Sequence, residues 1–250
     1  MSKFAEKLQH IYRSSTSSIG FRKPAEEKVS RMLVVADLTK TGISQAKVIA
    51  DNIDAGIVSD TNLDTRNLEQ LVAAVDGIPV GLFLEGGEHN RGTKLIDSGC
   101  DFVVFDLKTP FEVVAGEGVG RVLKVEPSLD PGLVRAINAL PLPVDGVLVN
   151  IKDSLLTVEL LLTCQRFADL LDKPLLLYLD SLVSGNELKS LSEVGVEGLV
   201  LSAGLPADTS AKLRKLINGL PRVTKRNTRS SALIPQLGSQ AEVDDDEEEV

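Results

Sequence analysis

Lys124 and Glu126 stand two positions apart in the run "RVLKVEP" (121–127). Val122, Leu123 and Val125 give the run the character of a buried strand. Strand side chains alternate with period two, so the lysine and the glutamate are expected on one face. An amine held among apolar walls can attack a carbonyl carbon or carry a proton, and a carboxylate beside it can act as general acid or base. The same two residues would equally make a structural ion pair. Other polar residues close apolar runs at intervals of 20 to 30 positions: Asp37, Asp60, Glu85, Asp106, Asn150, Asp180 and Ser202. The same alternation turns Asp37, Glu85, Asp106 with Lys108, Asn150, and Tyr178 with Asp180 toward a common centre. The candidate catalytic residues are therefore Lys124, Glu126, Lys108, Asp106, Asp37 and Asn150. Asp37, Glu85, Asp106 and Asp180 also form a pool of hard oxygen donors for Mg²⁺, but no tight ligand motif joins them. No cofactor and no metal centre is expected, with Mg²⁺ as the alternative. His89, in "LEGGEHNRG", is either a proton shuttle or a solvated loop histidine.

The elements that would hold these residues recur with a period. The β-rich runs are "MLVVADL" (32–38), "AGIVSD" (55–60), "PVGLFLE" (79–85), "DFVVFDLK" (101–108), "RVLKVEP" (121–127), "GVLVN" (146–150), "PLLLYLD" (174–180) and "GLVLS" (198–202). Between them lie segments with helical spacing of Leu, Ile, Val and Ala; "FEVVAGEG", after the fourth, is short and weakly helical. Strict strand–helix alternation implies a parallel sheet. Eight repeats in this length favour a closed (β/α)8 TIM barrel, in the α/β class, over an open doubly wound sheet. The first turn, "DLTKTG", also lacks the glycine pattern of a dinucleotide-binding crossover. The expected division is an N-terminal helix and linker (1–30), the barrel (31–220) and a tail (221–250). Phe4, Leu8, Ile11 and Tyr12 form one helical stripe, which would cap the barrel bottom or pair subunits. The tail begins basic, ends acidic and reads as disordered.

Charge and cysteine content exclude several classes. The formal charge is −9, but residues 242–249 carry seven acids, and without those seven the remainder stands at −2. A nearly neutral body predicts no nucleic-acid partner. Cys100 and Cys164 are the only cysteines, too few for a disulfide framework or a four-cysteine zinc site. No apolar run approaches membrane-spanning length, and the first residues lack a secretory core. A cytoplasmic protein without a membrane partner is expected.

The stretch "LVSGNELKSLSEVGVEGLVLSAG" (182–204) resembles the seventh and eighth units of phosphate-binding (β/α)8 barrels, typified by indole-3-glycerol-phosphate synthase and the other tryptophan- and histidine-biosynthesis barrels. The resemblance implies a phosphate site on the backbone N–H groups of Ser184, Gly185, Ser202, Ala203 and Gly204. Short side chains and helix N-termini suit that role. Ser184 with Glu187 is equally a capping box, which needs no ligand. Glu126 and Asn150 match a glutamate ending strand five and an asparagine ending strand six of the synthase. The synthase's Glu-x-Lys on strand one is Asp37-Leu38-Thr39-Lys40 here, and its strand-three lysine is Glu85.

These readings combine into a barrel enzyme, a carbon–carbon lyase or isomerase, acting on a small phosphorylated metabolite. Lys124 would form an imine or carry a proton, assisted by Glu126 or Lys108, and a homo-oligomer is compatible with this. The rival is a non-catalytic barrel that joins an assembly through its N-terminal helix and charged tail.

Overall fold

The computed structural model describes residues 2–15, 31–61, 63–84, 89–150, 155–206 and 208–220. The chain opens with helix α1 (Lys3–Ser15) and then alternates: β1 (Leu33–Asp37), α2 (Ile43–Ala50), β2 (Ala55–Ser59), α3 (Thr65–Ala74), β3 (Val80–Phe83), α4 (His89–Asp97), β4 (Phe102–Phe105), α5 (Phe111–Val114), β5 (Gly120–Val125), α6 (Pro131–Ala136), β6 (Gly146–Asn150), α7 (Val158–Leu170), β7 (Leu175–Leu179), α8 (Gly185–Glu193), β8 (Val196–Leu201) and α9 (Thr209–Asn218). The eight strands pair in sequence order, all parallel, and β8 returns to β1 to close a barrel. This is the (β/α)8 TIM-barrel architecture that the strand count implies. The expected tail, 221–250, lies outside the described residues, as does Glu85. Among the described residues, no helix is long and apolar enough to cross a membrane.

Alternation divides the apolar residues into two cores. Outward residues such as Val34, Val58, Leu82, Val103, Leu123, Val149, Leu177 and Leu199 pack under the helices. Inward residues, among them Leu33, Val35, Ile57, Phe102, Val104, Val122, Leu148, Leu176 and Val200, fill the barrel. Neighbouring side chains occupy the space in front of the four inward-facing strand glycines. A Cβ on Gly81 would come within 2.3 Å of the Phe102 ring, one on Gly120 within 2.5 Å of Ser2 Oγ, and ones on Gly146 and Gly198 within 3.1 Å of Leu176.

The N-terminal stripe belongs to this inner core. Phe4, Leu8 and Ile11 are buried with the inward strand residues, and Tyr12 is partly buried. Phe4 stacks on Phe102 with ring centroids 4.1 Å apart. Helix α1 therefore seals the N-terminal end of the barrel, which settles the choice that the sequence left between capping and pairing.

An acidic residue at the start of each even-numbered strand organises that end. Asp54 accepts the Val34 N–H (2.8 Å), Asp145 the Arg121 N–H (2.8 Å), and Glu197 the Leu175 N–H (2.9 Å). Each ties an even strand to the odd strand before it. In the remaining unit, Asp101 serves α1 instead. Its carboxylate accepts the Ser2 hydroxyl (2.7 Å) and the N–H groups of Lys3 (2.8 Å) and Phe4 (2.9 Å), capping the helix. Asp54 also accepts Arg214 of α9 at 2.8 Å, and Lys7 Nζ donates to the Asp54 carbonyl at 2.9 Å. Charge at this end of the barrel is committed to stability.

Candidate active site

At the opposite end the inward row turns polar. Continuing each alternation upward gives Asp37 above Val35, Ser59 above Ile57, Phe83 above Gly81, Lys124 above Val122, Asn150 above Leu148, Tyr178 above Leu176, and Ser202 above Val200. All seven line one chamber of about 1000 Å³, together with Asp180 and the β1–α2 loop from Leu38 to Ile43. Catalytic and binding groups of this fold sit at this end of the strands.

Asp37 is the most tightly held of them. Its Oδ1 accepts both the N–H (2.9 Å) and the hydroxyl (2.5 Å) of Thr39, and its Oδ2 accepts the Tyr178 hydroxyl at 3.1 Å. The Thr39 hydroxyl oxygen in turn accepts the Ser59 N–H at 2.9 Å, fastening the turn to β2. Tyr178 on β7 reaches Asp37 on β1 across β8, where the inward residue is the small Val200. A side-chain turn two residues long thus fixes a carboxylate, and a phenol 141 positions away orients it.

Lys124 stands on β5, four places around the ring from β1, and so across the chamber from Asp37. It is half-buried, with Nζ 4.7 Å from the centroid of the Phe83 ring. The ring face attracts the ammonium and masks one side of it from water. Among the described residues, no carboxylate oxygen lies within ion-pair distance of Lys124 Nζ.

The structure does not bring Glu126 to Lys124. Strand β5 ends at Val125, the Glu126 carbonyl accepts the Leu129 N–H at 3.1 Å, and the side chain is exposed outside the chamber. Pairing by alternation fails there because the extended backbone gives way to a turn. The same holds for Asp106 and Lys108, which the sequence placed on a longer fourth strand. β4 stops at Phe105; Asp106 Oδ1 accepts the Lys108 N–H (2.9 Å) and the Thr109 hydroxyl (3.1 Å), and Lys108 is exposed. Neither lines the chamber. The carboxylates of "DLTK" and "DLKT" make the same kind of turn, one beside the chamber and one away from it.

The five residues assigned to a phosphate site separate into two groups. Ser202, Ala203 and Gly204 line the chamber, and among the described residues the Ala203 and Gly204 N–H groups make no hydrogen bond, whereas that of Ser202 donates to the Leu179 carbonyl. Ser184 and Gly185 do not line it. At the start of α8 the Ser184 N–H donates to Glu187 Oε2 (2.7 Å) and the Glu187 N–H to Ser184 Oγ (3.3 Å), a complete capping box. The Ser184 backbone N–H first, and the Ser184 side chain second, hold the Glu187 carboxyl below its usual range. The N-terminus of α8 is therefore already occupied by an anion, its own glutamate.

Of His89 only the backbone, the first residue of α4, is described. Among the described residues, no group of three or more His, Cys, Asp or Glu side chains could hold a metal ion. Burial, reinforced at Cys100 by the charge of Asp101, pushes the thiols of Cys100 and Cys164 up to about 12, which makes both poor nucleophiles. Sequence reasoning passed over Thr39, Ser59 and Phe83. For Thr39 a signal was present, since a hydroxyl two residues after a strand-end aspartate favours such a turn.

No protein-family model matches the sequence, and no curated protein does. Solved structures match it as folds. Phosphoribosylanthranilate isomerase from Pyrococcus furiosus aligns with 76% of this chain and 100% of its own at a TM-score of 0.58 and 13% identity. Orotidine 5'-phosphate decarboxylase from Pyrococcus horikoshii aligns with 75% of this chain and 100% of its own, at 0.58 and 15%. A mutant tryptophan synthase α-subunit from Pyrococcus furiosus aligns with 75% and 97%, at 0.57 and 12%. This chain shares their barrel. At such identities the likeness is one of fold, and the chemistry has to be argued from the side chains of the chamber.

Proposed function

We propose that this barrel is an enzyme of the lyase or isomerase class, acting on a small phosphorylated carbonyl compound held in the chamber. The observation that carries the reading is Lys124: an amine at the C-terminal end of an inner strand, half-buried against Phe83, facing a carboxylate–phenol couple across the chamber. The solved structures similar to it include an isomerase and a decarboxylase whose names specify phosphorylated substrates, which supports the substrate class by analogy of fold.

In the proposed reaction the Nζ of Lys124 adds as the free amine to the carbonyl carbon, and the adduct takes up a proton from solvent on its hydroxyl and loses water to give an iminium. The iminium accepts the electron pair released when a neighbouring C–C bond breaks or a neighbouring carbon loses its proton. Asp37 takes that proton or returns it, its carboxylate held in place by Thr39 and Tyr178. Hydrolysis then restores the amine. Asn150 would hydrogen-bond substrate oxygens, and the N–H groups of Ala203 and Gly204 would take the phosphate. Glu126, Lys108 and Asp106 have no part in this reading, because they lie outside the chamber.

The test is reductive trapping. The protein is mixed with borohydride and, in turn, glyceraldehyde 3-phosphate, dihydroxyacetone phosphate, ribose 5-phosphate and ribulose 5-phosphate, and the adduct is located by peptide mass spectrometry. The expected result is a stoichiometric adduct on Lys124 with at least one compound, absent from Lys124→Met. Labelling spread over exposed lysines, or none on Lys124, overturns the amine mechanism.

A second reading, a barrel that serves an assembly, draws on a different observation. Leu133 of α6 and Val158 and Leu162 of α7 are left 56%, 73% and 66% exposed on adjoining helices.

A further inference from the structure

Helix α7 is apolar on two opposite faces, and the fold covers one of them. Leu160, Cys164 and Phe167 are buried under the sheet. Leu162 stands two residues from Leu160, about 200° around the helix, and with Val158, one turn earlier, it is left to solvent. In these two turns, "VELLLTC" (158–164), Glu159 is the one charged residue. Helices apolar all round are buried ones. The next helices along the barrel differ: α8 and α9 carry the exposed ion pairs Lys189–Glu193 and Lys212–Asp208, as solvated helices do. The exposed apolar surface continues from α7 to its other neighbour, α6, through Leu133, and Leu155, just ahead of α7, is 73% exposed. Helices α6 and α7 run side by side in the same direction. Arg166, one turn after Leu162, donates to the Pro127 carbonyl in the loop before α6, so this edge of α7 is turned toward α6. Asn138 ties their lower ends, donating to the Leu170 carbonyl at 2.9 Å and accepting the Asp172 N–H at 2.9 Å.

We infer that this flank is where a second copy of the chain docks, with α6 and α7 of one copy packed on α7 and α6 of the other. The area fits. Leu133, Leu155, Val158 and Leu162 expose roughly 400 Å² per copy, and a standard interface of about 800 Å² per partner is roughly 60% apolar, so these four side chains supply most of its apolar core. The charges fit a copy of the same surface. The exposed charged residues of α7 are the acids Glu159 and Asp169, and Arg135 is exposed on α6. Asp130, at the start of α6, is committed to its cap, accepting the Gly132 N–H at 2.7 Å. A twofold axis along the helices lays α6 of each copy on α7 of the other. It sets each Arg135 against an acidic helix and each Leu133 against the Val158 and Leu162 side. An axis across the helices would lay α7 on α7 and bring acids toward acids, which is unfavourable. A lipid surface is a poor occupant, because a membrane-bound helix flanks its apolar stripe with Lys and Arg. The inference takes its surface from the second reading above and gives it a partner, and it holds equally for a dimeric enzyme.

The experiment is sedimentation velocity with light scattering on the full chain, from micromolar to hundreds of micromolar. The expected result is a reversible species of twice the mass of one chain. Leu162→Asp, which would bury a carboxylate in the contact, should weaken the dimer by roughly 100-fold, and Val158→Lys should do the same. Val48→Asp, at a residue 62% exposed on α2, should leave it unchanged. Arg135→Glu should weaken it by roughly tenfold, and adding Glu159→Lys and Asp169→Lys should restore it, because the pairing is then reversed in sign. Urea midpoints near the parent's show that the variants are folded, as expected of changes at exposed positions. A chain that stays monomeric throughout overturns the inference. So does a dimer that survives Leu162→Asp, one dispersed equally by Val48→Asp, or an Arg135→Glu defect that the two lysines do not restore. Dimerisation needs no substrate, so this result is separate from that of the trapping experiment. A monomer overturns the dimer whether or not Lys124 is trapped, and a trapped Lys124 removes the non-catalytic reading whether or not the chain is dimeric.

Discussion

Replacing Lys124 by methionine separates a catalytic amine from half of a structural ion pair. If the ammonium neutralised a buried carboxylate, its removal would leave that charge unpaired, at a cost of about 3–5 kcal/mol. The geometry gives a different expectation. Glu126, the carboxylate nearest in sequence, is exposed and outside the chamber, so among the described residues no carboxylate is orphaned by the change. What is lost is the contact of Nζ with the Phe83 ring at 4.7 Å, about 0.5–1 kcal/mol at a half-exposed site. Methionine keeps an apolar stem of similar length. The variant should therefore lie within about 1 kcal/mol of the parent, which at a urea dependence of about 3 kcal/mol per molar is a midpoint shift of about 0.3 M. A double-mutant cycle with Phe83→Leu should return a coupling of the same small size. A midpoint lowered by more than about 1 M would refute the reasoning, since only an unpaired buried charge costs that much.

Asp101→Ala removes three hydrogen bonds to the first turn of α1 and should destabilise the protein by about 2–4 kcal/mol in urea unfolding, with faster proteolysis within α1. The capping box predicts a pH effect of definite sign. Because the Glu187 carboxyl is depressed in the fold, its contribution is complete above the ordinary glutamate range and is lost as pH falls through the depressed value. Glu187→Gln should therefore flatten the fall in stability as pH drops below the ordinary glutamate range in acid titrations of the unfolding midpoint. Cys100 and Cys164 should resist iodoacetamide at pH 8 in the native protein and label fully in denaturant, as followed by intact mass.

The barrel was legible because its evidence is redundant: eight apolar runs, each closed by a polar residue and followed by a helical segment, leave one economical closure. Helix α5 is also as short as "FEVVAGEG" suggested. The site was legible only as far as the parity of each strand extends. Asp37, Lys124 and Asn150 lie within strands, and alternation turns them inward. Asp106, Lys108 and Glu126 lie one to three residues past a strand end, where a turn resets the direction of every side chain, and nothing in "FDLK" or "VEP" marks the last extended residue. Ser184 satisfied two patterns at once, and its own Glu187 occupies the helix start that a phosphate would need. The partnership of Asp37 with Tyr178 depends on ring closure, which no local pattern encodes.

The attachment of α1 has a consequence for the order in which the molecule takes shape. The helix is synthesised before everything it binds. Its cap is a carboxylate 97–99 positions later in the chain, and its stacking partner, Phe102, follows immediately. Contacts of such sequence separation form late, after the intervening loop has been closed by other structure. Helix α1 must therefore wait, with Phe4, Leu8 and Ile11 uncovered, until at least the first four strands have left the ribosome. Gly120 and Gly146, which leave room for Ser2 and Leu8, come later still. Through that interval α1 is an amphipathic helix that has no place to dock, which makes this segment the natural point of engagement for a chaperone and the last piece to lock the finished barrel.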